Sequence, residues 1–433
     1  LNTNLAFQAF GADATMRNRL KQTMPALGLA SAVAWGATNL AEHRIHQGWL
    51  PKNKVWTGLA LAAPLANATY GVINTAAAGL SGYAWRAGAF ALYGAASLAM
   101  APLFWKDTRL SLKLSKALAQ GNQDLAKDIA RQGLHVRQWT ALGNLMVPVG
   151  LLMGLFSVTK VAQSKTPLEP PGENLLADLA HNAKVEAQSF AEELGQLPAH
   201  SKQSLTDVRR GLETVNTPTE KNAWQRFAQP VQDGPTVPVL YSLTALGRLA
   251  AAVGAASVFA LSPKAVAAHS PFQRVLKELP PAGLAKPLMK GVNGSVVGGQ
   301  VASALSSVFT QFNGWPAGLS ALYVSSALPD AASALSAMTG RRFWGMDAST
   351  LARASAFIQG NAYFLNAARP EKPSSVPTAP SFSAISAPVE NPMLQTAAIH
   401  PLTNGTMLPA VQPPAINTDL ADPLPQPSVI LQG

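Results

Sequence analysis

The chain has 433 residues, 33 Lys and Arg against 22 Asp and Glu for a net charge of +11, and no cysteine. The missing thiols exclude a disulfide framework, a zinc–thiolate cluster and a cysteine nucleophile. Only 13% of residues are charged, against roughly 25% in soluble proteins, and the basic residues cluster in short loops beside apolar runs. That distribution fits anionic lipid headgroups and argues against nucleic acid.

Residues 1–21 form a polar N-terminal segment ending in Arg17, Arg19 and Lys21, and residues 22–41 then carry no charge. They make a first membrane span, although a positive stretch before an apolar one also describes a signal peptide, with small residues near Ala37 to suit a peptidase. The loop 42–54 contains His43 and His46 without further ligands nearby, which reads as two solvated histidines. Residues 55–85 are uncharged for 31 positions. With Pro64 inside, that length suits one kinked, tilted span, or a re-entrant hairpin.

Residues 87–105 make a third span. After it, Leu110, Leu114 and Leu118 form one helical stripe and Lys106, Arg109, Lys113 and Lys116 another. This is the pattern of a basic amphipathic helix on an anionic membrane surface. Gly121 is placed to close it in a left-handed conformation and Asn122 to cap a second helix, giving a hairpin for which a purely structural role is equally consistent. Residues 22–139 thus form a first membrane repeat.

The stretch 140–159 is twenty residues without a charge, about 30 Å as a helix and so one bilayer crossing. It links that repeat to the second half of the chain. Residues 160–235 hold ten of the 22 acidic residues and eight basic ones, and read as a small extramembrane helical module. Leu175, Leu179, Phe190, Leu194 and Leu197 mark a helix ended by Pro198. Leu205, Val208, Leu212 and Val215 step at heptad-like intervals, as a self-packed seam or a coiled-coil surface for a protein partner. Thr217-Pro218-Thr219-Glu220 has the capping-box pattern and opens a third helix with Trp224 and Phe227.

Residues 236–369 form a second membrane repeat. Its first span, 236–262, is apolar except for Arg248, and the 39 uncharged residues 291–329 divide at Asn313, Gly314 and Pro316 into two more. Gly294 and Gly298 lie four apart, as do Gly150 and Gly154 in the linking span, the spacing at which helix backbones approach closely in lipid. Leu328-Pro329-Asp330 marks a break with Asp330 exposed at it. From residue 370 onward, 13 of 64 residues are Pro, the composition of a disordered tail.

Two internal matches connect the halves. Residues 104–122 and 343–361 share seven identities in nineteen, including Phe-Trp at the start and Gln-Gly-Asn at the end, and TALGNLMVPVG at 140 resembles TALGRLAAAVG at 244. The expected fold is therefore all-α: a multi-pass transmembrane helical bundle of about seven spans in a three-plus-one-plus-three plan. Loop charges put the N-terminus outside and the C-terminus in the cytoplasm.

Functionally, no GxSxG elbow, phosphate loop, dinucleotide glycines or metal-ligand cluster is present, so neither enzyme activity, cofactor nor metal is expected. The leading expectation is a structural or scaffolding protein integral to a membrane. A solute or ion carrier with its site between the two halves, built on an intramembrane Arg248/Asp330 pair, is one alternative. A soluble Ala-rich helical protein is another.

Overall fold

A computed structural model describes residues 14–165, 174–217, 223–267, 270–277, 283–309 and 317–367, with 168, 171 and 172. Leu1–Glu371 forms one compact unit, to which every element below belongs. The Pro-rich tail, the first thirteen residues, the turn at 313–316 and capping-box residues 218–220 lie outside the described residues, as do the side chains of Arg17, Arg19 and Lys21.

The described residues are helical, with one isolated bridge between Phe343 and Met346. In chain order the helices are α1 (Ala14–His46), α2 (Lys54–Leu80), α3 (Ala84–Ala119) and α4 (Gln123–Thr140). A π-helical stretch, Ala141–Met146, joins α4 to α5 (Val147–Lys165), and α6 (Leu175–Thr214), α7 (Ala223–Asp233) and α8 (Thr236–Leu261) come next. The remainder are α9 (Pro263–Val266), α10 (Pro271–Leu276), α11 (Ala285–Phe309), α12 (Ala317–Ser325), α13 (Ala327–Thr339) and α14 (Ala348–Ala367). Three helical stretches are long and apolar enough to cross a membrane: α3, the continuous α4–π–α5 rod and α8. Less than half of the most apolar part of each is buried by the rest of the chain. Large apolar side chains such as Val33, Val72, Leu98 and Val253 are more than half exposed.

Local chemistry explains the boundaries. Asn53 caps α2 by accepting from the Trp56 amide, and Gly82, at φ +80°, turns the chain directly into α3. The 31-residue uncharged run is thus one helix, a tight turn and the start of the next. Gly121, at φ +69°, ends α3, and Asn122 Oδ1 accepts from the Leu125 amide to open α4. Lys106, Arg109, Lys113 and Lys116 are exposed, with Leu110 and Leu114 buried against α4 and Phe272. They occupy the far end of α3, a 36-residue rod about 54 Å long. The basic stripe continues a straight helix past bilayer thickness, where a separate helix lying on the surface was expected. The π stretch has a simple cause: Pro148 has no amide, its ring crowds the carbonyl four residues back, and the turn before it widens so that the Val147 amide reaches Leu142 O.

Packing order closes on itself. α1 packs on α2, α2 on α3, α3 on α5, α5 on α8, α8 on α11, α11 on α13, α13 on α14, and α14 back on α1. Glycines permit the tightest crossings. A Cβ on Gly71 would lie 2.6 Å from the Gly94 Cα across α2 and α3, and one on Gly247 would lie 2.9 Å from the Gly299 Cα across α8 and α11. Gly150 and Gly154 face Ala252 and Leu249 of α8, whereas a Cβ on Gly294 or Gly298 would meet nothing within 4 Å. On α11 the close approach falls to Gly299 instead.

The module differs most from expectation. Pro198 sits inside α6, which runs unbroken for 40 residues. Its buried face is polar: Asn182, Glu186, Ser189, Glu193, Ser204 and Asp207 point inward, while Leu176, Leu205 and Leu212 are 57%, 73% and 61% exposed. The inward stripe docks on helix ends. Glu186 accepts from the Ala84 and Trp85 amides at the start of α3 (2.8 and 3.1 Å) and from the Thr159 hydroxyl (2.8 Å). A carboxylate at a helix N-terminus complements its dipole and its orphan amides. Glu193 pairs with Lys165 and His200, both at 2.9 Å.

The sequence match between 104–122 and 343–361 has no counterpart in secondary structure. Phe104-Trp105 lies inside α3 and Gly121 ends it, but Phe343-Trp344 lies in the turn before α14 and Gly360 is inside that helix. The break expected at Pro329 falls at Ser326, between α12 and α13. Asp330, in the first turn of α13, is fully buried, because α11 covers it with the Ser303 hydroxyl.

Candidate functional site

A cavity of about 70 Å³ lies among α1, α2, α3, α5, α8 and α14. Its wall is mostly aromatic and aliphatic. Trp35 of α1 stacks on Tyr70 of α2 at 5.4 Å and on Phe357 of α14 at 6.1 Å, and its indole N–H donates to the Tyr93 hydroxyl at 3.0 Å. Val149, Leu152, Met153 and Phe156 of α5 supply the facing side. Three arginines interrupt this surface: Arg86 of α3, Arg248 of α8 and Arg353 of α14.

Each cation is held differently. The Arg86 guanidinium lies over the Phe156 ring, 4.6 Å from its centroid, a cation–π contact with the negative face of the ring. Arg353 Nη1 donates to Asn39 Oδ1 at 3.4 Å, and Asn39 is itself fixed by donating to Asn67 Oδ1 at 2.7 Å and to the Trp35 carbonyl. Arg248 projects from the middle of α8, 6% exposed, and its Nε and Nη2 have no hydrogen-bond partner. Gly299 makes room for it, the Arg248 Cδ lying 3.6 Å from where a Cβ would stand.

Asp330 lies behind this wall. Its Oδ2 accepts from Ser303 at 2.6 Å and its Oδ1 has no partner. The carboxylate is within electrostatic reach of Arg248, but the two form no ion pair within 4 Å. A serine-rich network surrounds it: Gln300 donates to Ser333, and Gln359, which lines the cavity, donates to Ser326 and Ser355. Small hydroxylated residues of this kind let helices approach closely and bond across their interface.

A polar cluster adjoins the C-terminal end of α1. Glu42 is 3% exposed with Oε1 unpartnered. Burial pushes its carboxyl up to about 8, opposed by Arg353 of α14 and Arg137 of α4 and reinforced by Asp107 of α3. Asp107 and Arg137 pair at 2.7 Å, both nearly inaccessible, with Thr140 donating to the same carboxylate. His43 and His46 belong to α1 and are partly buried: His43 meets Thr350 at 3.1 Å and His46 meets Thr108 at 3.2 Å. Burial lowers both imidazoles below their ordinary value, which corrects the expectation of solvated loop histidines.

Of the residues singled out in the sequence, Arg248 lines the cavity, Asp330 backs it, and Gly150 and Gly154 seat α5 against α8 beside it. Arg86, Arg353, Trp35 and Glu42 were missed. The signal that could have found the first two was the one that found Arg248: a single guanidinium in an otherwise uncharged stretch, Arg86 within 55–105 and Arg353 within 348–368. Among the described residues, no group of three or more His, Asp and Glu is placed to hold a metal. No protein-family model, curated protein or solved structure matches the chain, so its function is to be read from this geometry alone.

Proposed function

We propose that the chain is a non-enzymatic integral membrane protein of seven spans that carries a small solute through the cavity between its two sets of helices. The observation supporting this most directly is Arg248, a buried cation with unpartnered nitrogens on the wall of the cavity. A cation so placed in an apolar bundle costs about 2.5–3.5 kcal/mol even on insertion scales, and such residues line pathways or sites. Four further spans join the three long apolar helices: 22–41, α2, and the two divisions of 291–329. Positive charge at Arg44, Lys52, Lys54 and along the far end of α3 favours the N-terminus outside and the C-terminus in the cytoplasm. The three-plus-one-plus-three plan stands here as a count of spans; the matched Phe-Trp stretches lend it no support.

Carbonate extraction of membranes from expressing cells tests the first half of the proposal, since the protein is expected in the pellet. Uptake into proteoliposomes by the purified full chain tests the second, with loss of uptake expected for Arg248→Gln. Recovery in the carbonate supernatant would overturn both.

A scaffolding role is the second reading, favoured by the exposed Leu176, Leu205 and Leu212 on α6. It places function on that outward seam and in the basic stripe of α3, with protein and anionic lipid as the respective partners. It expects no solute flux, and loss of partner association on Leu205→Glu.

A further inference from the structure

We infer that the cavity is a binding site for a small organic anion, a short-chain monocarboxylate, held by Arg248 and Arg353. This rests on the carrier reading and names its substrate class.

The charge of the wall points to an anion. Arg86, Arg248 and Arg353 all reach the cavity, and among the described residues no carboxylate lines it. The acids within electrostatic reach stand behind the arginines, Asp330 near Arg248 and Glu42 near Arg353, so cationic side chains outnumber anionic ones around the space. Arg248 is 94% buried, from 6% exposure, and two of its nitrogens lack an acceptor. A guanidinium presents donors in a planar fork that matches a carboxylate bidentately. An unmet fork on a side chain buried among apolar neighbours has strong electrostatic demand for such a partner.

The rest of the wall decides against a purely inorganic ion. Trp35, Tyr70, Phe90 and Phe156 give the cavity aromatic faces, and Trp35 and Tyr70 are stacked 28° from parallel. These surfaces offer burial to a short alkyl body and nothing to the remaining oxygens of phosphate or sulfate. Size sets the upper limit. About 70 Å³ is room for roughly five water-sized groups, well under the ~150 Å³ in which an apolar cavity holds benzene, which admits a carboxylate with a short alkyl chain and excludes an aromatic ring, a nucleotide or a lipid.

The test is equilibrium binding of radiolabelled propionate to the purified full chain in detergent, with propionamide and inorganic phosphate as competitors. Saturable propionate binding is expected, with propionamide and phosphate failing to compete at hundredfold excess. Arg248→Gln and Arg353→Gln are each expected to weaken binding about tenfold or more, the loss of one charge-assisted contact. Ala356→Leu, which fills the cavity without touching a charge, is expected to abolish binding and covers the case in which an arginine variant fails to fold. Equal competition by propionamide, displacement by phosphate, absence of saturable binding, or full binding by Ala356→Leu would each overturn the inference. The same preparation in proteoliposomes separates the two claims. Propionate binding without uptake removes the carrier reading and leaves the anion site, whereas uptake of another solute without propionate binding does the reverse.

Discussion

Replacing Glu186 by Ala removes the contact through which α6 is fastened to the bundle. The carboxylate accepts three hydrogen bonds, from the Ala84 and Trp85 amides and the Thr159 hydroxyl, at 2.8, 3.1 and 2.8 Å. Bonds to a charged acceptor contribute about 1.5–3 kcal/mol each, but dehydrating the carboxylate offsets part of that. The penalty of that burial is visible in its carboxyl, which burial raises above the ordinary value. Truncation also strands two amides at a helix N-terminus. The net loss is expected near 3 kcal/mol, since the Trp85 indole bond to the Ala183 carbonyl and the Asn182 bond to the Gly82 carbonyl remain. Hydrogen–deuterium exchange of the detergent-purified protein reads this locally. About 3 kcal/mol corresponds to roughly a hundredfold faster exchange at the Ala84 and Trp85 amides, and Glu186→Gln, which keeps one acceptor oxygen, should fall between. Unchanged exchange at those two amides in Glu186→Ala would refute the docking role.

Glu42 gives a pH dependence of definite sign. Its folded value is about 8 against an ordinary 4.5, so across that window the folded protein holds a proton that the unfolded chain has released. Stability should fall as pH rises from 4.5 towards 8 and level off above; thermal unfolding in detergent should show a flatter profile for Glu42→Gln, and parallel profiles would defeat the assignment. Asp107→Asn or Arg137→Gln leaves one buried charge unpaired and should cost about 3–5 kcal/mol, while the double replacement by Leu should recover much of it, as measured by unfolding midpoints. Gly247→Ala should destabilise by about 1–3 kcal/mol through overpacking, whereas Gly294→Ala, which meets nothing within 4 Å, should stay within about 0.5 kcal/mol.

Helix content and most helix ends are legible because they depend on neighbours in sequence: Asn53, Gly121 and Asn122 act where their residue types predict. The module is not, because apolar spacing does not mark its buried face. Leu205 and Leu212 do form a seam, but α6 crosses the N-terminus of α3, whose amides demand an acceptor, and Glu186 meets that demand from the opposite face while Glu193 on the same face pairs with Lys165 at the end of α5. Proline misleads in a similar way. Pro198 stays within a helix whose other bonds hold it, and Pro148 widens a turn where no break occurs. The cavity is half legible. Arg248 stands alone in an uncharged run and draws notice; Arg353 sits in a helix with polar company, and Arg86 falls at a loop boundary that the sequence places about one turn too late.

Because α14 returns to α1, the arginine chamber gains its last wall only when the final described helix is made. In the proposed membrane topology, Arg248 would enter the bilayer with α8 during synthesis, before α11 brings Gly299 alongside and before α14 delivers Arg353. A partly inserted chain is then a row of staves open along one seam, with a bare guanidinium facing lipid or trapped water. Lateral assembly must close that seam late, so a chain stopped short of α14 should be leaky or quickly degraded, even though every earlier helix has already formed.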